Sequence, residues 1–147
     1  MRKFDLLYKS AIELKSLIKK KEISSLELTK LALAKIEETN HKTNAFLTVT
    51  EELAISSAKD VDDKIKNNLE IGLLGGVPTS IKDLESVKGY RTTKGSLFLE
   101  NNISDTDQLG VERIKNEDGI ILGKTNVPEF GASGSTENKL GDDCRNP

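Results

Sequence analysis

The sequence predicts an α/β fold in which helices come first and strands of a mixed, mostly parallel sheet follow. Three observations carry this. The N-terminal stretches repeat their apolar residues at helical spacing. At Gly72 the texture changes to short apolar runs set between glycines. Beyond that point a helical stretch separates two short apolar runs, Leu73 to Ile81 and Ile120 to Leu122.

Residues 10–20 read as the first helix, with Ala11, Leu14, Leu17 and Ile18 on one stripe. Ser24 and Glu27 form a capping box, each side chain satisfying a free backbone N–H at a helix start. The helix they open runs to about Glu38, with Leu28, Leu31, Ala32 and Ile36 facing inward. Asn40 to Asn44 reads as a polar loop and Ala45 to Val49 as a short strand. A third helix is expected from about Glu51 to Lys66, its charges placing it outside with one buried stripe of Ala54, Ala58, Val61 and Ile65.

In the second half, Leu73 to Ile81 is expected to turn into a buried strand, and Thr92 to Ser96 to form a loop. Asp107 to Glu117 reads as a helix stopped near Gly119, before a buried strand Ile120–Leu122. Gly123 to Thr125 is expected to leave that strand, and the remainder to be polar loop with at most one short helix. This divides the chain into a helical part, 1–44, and an α/β part, 45–147.

The 147 residues suit one ordinary domain. The hydrophobic fraction, 35%, lies below the ~45–50% usual for globular domains. That deficit is explained if part of the core sits on a segment outside this sequence. Net charge is −2, from 22 basic and 24 acidic residues, which is no footprint for direct nucleic-acid binding. The single cysteine, Cys144, excludes an internal disulfide and a cysteine-based zinc site. Met1 to Asp5 lacks a signal peptide's apolar run, and no apolar stretch is long enough for a membrane span. The expectation is a cytoplasmic protein without metal or cofactor.

Gly123-Lys124-Thr125 invites a phosphate-loop reading, but the glycine required five residues before Gly123 is Asp118. His41 is the sole histidine and sits among polar residues, where a solvated role is expected. Asp60, Asp62 and Asp63 point in different directions on a helix and read as a solvated face. Lys82 differs from these. It ends a partly apolar strand, where burial would disfavour the ammonium form and leave a neutral amine usable as a general base. The alternative is a strand-end lysine paired with Asp83 or reaching solvent.

Four ordered motifs then go beyond generic patterning. Gly75-Gly76-Val77-Pro78-Thr79-Ser80-Ile81-Lys82-Asp83 resembles the G-[IV]-P-x-x-[IV]-K-D segment of the amidase signature family. Gly89 to Ser96 resembles its G-x-x-T-T-x-G-S, and Ile121 to Phe130 its L-G-K-T-N-x-x-E-F. Ser135-Thr136-Glu137-Asn138 with Arg145-Asn146-Pro147 matches the stretch just before the signature itself. The resemblance implies amide hydrolysis by a Ser–cis-Ser–Lys triad, acting on a small-molecule amide, with Lys82 as the base. Gly131, Ala132 and Ser133 fall where family members approach the acyl pocket. The family's Gly/Ser-rich signature, which supplies both serines, is expected after Pro147 and is not among these residues. Ser96, Ser133 and Ser135 do not match the serine positions. The chain is therefore expected to be an N-terminal portion, inactive alone, completed by another segment, a complementing chain or a homo-oligomer. The family also includes the A subunit of glutamyl-tRNA(Gln) amidotransferase, an alternative identity. A non-catalytic protein that binds a partner through an uncovered sheet edge is the reading from another class.

Overall fold

The computed structural model describes residues 4–141 and 143–147. Among these residues are four α-helices: α1 (Ala11–Lys19), α2 (Ser25–Thr43), α3 (Glu51–Lys66) and α4 (Leu109–Asn116). Three strands accompany them: β1 (Phe46–Val49), β2 (Pro78–Lys82) and β3 (Ile120–Thr125).

The helix starts follow local chemistry. The Ser24–Glu27 capping box opens α2, and a second box, Ser10 with Glu13, opens α1 from the same S-x-x-E spacing. Asp62 departs from its expected solvated role. Its carboxylate accepts from the N–H groups of Ser25 (2.7 Å) and Leu26 (3.0 Å), two donors that the first turn of α2 leaves free.

The expected loop at 40–44 is instead the last turn of α2. The Thr39 and Thr43 hydroxyls donate back to the carbonyls of Lys35 and Thr39. Asn44 then ends the helix in the left-handed region, at φ 49. The Asn40 amide brackets Phe46, accepting from its N–H and donating to its carbonyl, so the end of α2 sets the start of β1.

β3 lies in the middle of the sheet, antiparallel to β1 and parallel to β2. It is longer than expected and includes Gly123, Lys124 and Thr125. The phosphate-loop pattern is thereby accounted for, since its residues are strand. β2 is an edge strand, and Ile81 is its one buried residue rather than one of a buried run. Alternation along β3 divides the core. Ile120 and Leu122 pack with Ala32, Ile36, Ala54, Ala58 and Val61 of α2 and α3. Ile121 faces the other way, with Ile81, Val87 and Val111 of α4. A third cluster, Leu14, Ile18, Leu28 and Val77, ties α1 to the start of β2.

Candidate functional site

The site grows from the parallel ends of β2 and β3. Lys82 is the last residue of β2, and its side chain is exposed. No hydrogen bond or ion pair to its amine occurs among the described residues. The burial expected at Lys82 is therefore absent among the described residues, and Lys82 is not paired with Asp83. The buried lysine is Lys124, at 0% exposure.

Lys124 takes the partner that sequence adjacency offers to Lys82. Its Nζ donates to Asp83 Oδ1 at 2.7 Å and to Thr92 Oγ1 at 2.8 Å. The other carboxylate oxygen, Asp83 Oδ2, accepts from the Thr93 N–H at 2.9 Å and from the Thr93 hydroxyl. All four residues are buried. Burial pushes the Lys124 ammonium below its ordinary range, and the Asp83 carboxylate offsets this only in part. A charge placed in a strand interior requires such a partner, and the sequence carries that signal. Lys124 stands in an apolar run, with Asp83 and two threonines in the other motifs.

The 92–96 loop is held by the same group and by the segment after β3. Lys94 N–H donates to the Asp83 carbonyl, and the Lys94 carbonyl accepts from Phe130 N–H. Ser96 Oγ donates to Glu129 Oε1 at 2.7 Å, so this serine is a tether and not a free nucleophile. Gly95 sits at φ 71, where a Cβ would lie 2.6 Å from the Val127 carbonyl oxygen. Asn138 closes the segment, donating to Asn126 Oδ1 and to the Val127 carbonyl.

Gly131, Ala132 and Ser133 are exposed. Gly131, at φ 71, packs against Leu84, two residues beyond Lys82: a Cβ would approach the Leu84 Cδ1 methyl to 2.8 Å. Ser133 and Ser135 bond locally, the Ser133 hydroxyl accepting from Ser135 N–H and the Ser135 hydroxyl donating to Glu137. No serine hydroxyl is bonded to Lys82 among the described residues. His41 lies exposed in the last turn of α2, away from this group. No group of three His, Cys, Asp or Glu side chains is placed to hold a metal among the described residues, and no helix is long and apolar enough to cross a membrane.

The chain has counterparts among known proteins. Residues 27–147 match the Amidase family, and the chain belongs to it. The chain is 46% identical over 137 residues to the A subunit of glutamyl-tRNA(Gln) amidotransferase from Clostridium botulinum strain Alaska E43, covering 93% of this chain and 28% of that protein. It is 43% identical over 143 residues to the same protein from Carboxydothermus hydrogenoformans, covering 97% and 30%. Among solved structures, a bacterial aryl acylamidase of the amidase signature family superposes with TM-score 0.84 at 30% identity, covering 89% of this chain and 28% of that one. A protein from a vestigial complex linked to the origins of an s-triazine catabolic enzyme superposes with TM-score 0.91 at 28% identity, covering 95% and 31%. The chain thus spans under a third of the length of these relatives.

Proposed function

We propose that this chain supplies the lysine-bearing part of an amide-cleaving active site, with Lys82 as general base. The observation that carries the reading is the placement of Lys82: exposed at the end of β2, without a partner among the described residues, and followed by Asp83, which bonds to Thr93 and Lys94, and by Leu84, which packs on Gly131. Covered by the segment that carries the serines, Lys82 would lose its water, which favours the neutral amine, and it could then take a proton from a hydroxyl through a second serine as relay. The oxygen nucleophile then attacks the amide carbon, an acyl-enzyme forms, the amine or ammonia leaves, and water completes the cycle.

The 147 residues contain no Gly/Ser-rich segment able to supply these serines or the N–H donors for an oxyanion. Most of the stabilisation of the tetrahedral intermediate would come from such donors. The chain alone is accordingly inactive, and a complementing segment or chain seats over the Lys82 end. The apolar side chains of Leu97 and Phe130, half-exposed, and of Phe98, 95% exposed, offer it a surface.

Within amide chemistry, the identity to the amidotransferase A subunits is higher than to the amidases of known structure. That favours an amidotransferase role alongside partner subunits. The test is a splice. Residues 1–147 replace the matching segment of the Clostridium botulinum A subunit, within its assembled enzyme. The reading expects amidotransferase turnover from the splice and none from the purified 147-residue chain. A folded splice without turnover, or Lys82-dependent turnover of an amide by the chain alone, contradicts it.

A further inference from the structure

The two lysines of the site lie on opposite faces of the sheet because of one irregularity. Between the pairs Thr79↔Ile121 and Ile81↔Lys124, the single residue Ser80 of β2 is matched by two of β3, Leu122 and Gly123. Without that extra residue Lys124 would stand beside Lys82. A one-residue slip moves a side chain to the other face. With it, Lys124 falls in register with Ile81, on the face that Asp83 also shares two residues on, and Lys82 is in register with Thr125 on the opposite face. On the other side of β3, Gly123 lets β1 approach closely, since a Cβ there would lie 2.4 Å from the Thr48 carbonyl oxygen.

Asp83, the residue after Lys82, is fixed through every polar group it has. Its N–H donates to the Thr125 carbonyl, and its carbonyl accepts from Lys94 N–H. Its carboxylate is held by Lys124 on one oxygen and by Thr93, through both N–H and hydroxyl, on the other. The Lys82 carbonyl accepts from Glu85 N–H, which starts the turn that follows. None of these contacts engages the Lys82 side chain.

We propose that Asp83, Lys124, Thr92 and Thr93 are positioning residues that clamp the end of β2 from within, so that strand alternation sends the Lys82 side chain outward from a fixed point of the backbone. This rests on the reading of Lys82 as the base. The clamp fixes the Cα and the outward direction of the base through buried, bonded groups, and leaves the final placing of the amine to the segment that covers it.

Amide hydrogen exchange on the 147-residue chain tests the clamp. Thr93→Val removes one donor to the carboxylate, and Thr93→Ser keeps it. The valine variant is expected to speed exchange at positions 83, 93 and 94 by about tenfold to a hundredfold relative to Ala58 in α3. The serine variant is expected to stay within about threefold of the parent. Equal acceleration at Ala58 would make the group a general stabiliser and overturn the proposal, as would unchanged exchange or failure of the serine to rescue. In the spliced enzyme, Thr93→Val is expected to lower kcat about tenfold with KM unchanged, and an unchanged kcat overturns positioning. Should Lys82→Met leave turnover intact, the reading of function falls, while the exchange result still stands by itself.

Discussion

Replacing Lys124 by methionine tests the buried pair that underlies the site. Methionine fills much of the same volume, so packing is largely kept and the main change is a carboxylate left without its cation. Asp83 is 1% exposed and Lys124 fully buried, so water cannot take the place of the ammonium without opening the structure. Asp83 keeps the two Thr93 donors, which places the cost within, and not beyond, the ~3–5 kcal/mol typical of halving a buried pair. For a chain of this size that is a fall in Tm of about 8–15 °C, and a third or more of the stability of an ordinary domain. The assay is urea unfolding followed by far-UV circular dichroism, with the slope checked for constancy. Asp83→Asn and the double variant complete a cycle. The double variant is expected to be more stable than the sum of the singles by about 2 kcal/mol. A Lys124→Met loss under about 1 kcal/mol, or simple additivity, would refute the claim that the two residues act as a unit.

Other expectations follow from the same contacts. Gly95→Ala introduces a Cβ at positive φ against the Val127 carbonyl oxygen and should cost about 2–3 kcal/mol by the same unfolding assay. Acid titration of stability should show a loss that begins below about pH 4.5. Glu13 and Glu27 are held below their ordinary values by the N–H and hydroxyl of Ser10 and Ser24. Burial opposes the same effect at Asp107, but the Lys115 ammonium and the Lys88 N–H prevail. With folded values below unfolded ones, the stability these carboxylates contribute is present above the unfolded range and lost as pH falls through the folded values. Lys124 acts at the alkaline end. Its folded value lies below 10.5, so the unfolded chain holds more protons just below that pH and stability should rise there as pH increases. Lys124→Met should remove that rise.

Much of the fold is legible in the sequence because local rules set it. The Ser24–Glu27 capping box, the buried stripes of α2 and α3 and the β1 segment fall where patterning places them. The end of α2 is not, because Asn40 to Asn44 is polar and loop-like in composition, whereas backbone-directed threonine hydroxyls and a left-handed Asn44 continue and then close the helix. Asp62 reads as solvated because its partners, the N–H groups of Ser25 and Leu26, are 37 and 36 residues away in sequence. The site divides in the same way. The position of Lys82 at a strand end is legible from the run before it. Its exposure is not, since that depends on β2 being an edge and on the extra residue in β3, both tertiary facts. The pairing of Asp83 with Lys124 instead of Lys82 has the same origin.

The most direct test of the account is the Lys82→Met substitution in the spliced enzyme, with kcat and KM measured separately. A general base that acts only in the chemical step should leave KM near the parent value and lower kcat by about 10³-fold, with the Lys124 pair and the fold intact. A Lys82→Met enzyme whose kcat stays within about tenfold of the parent would show that the exposed strand-end lysine is not the base.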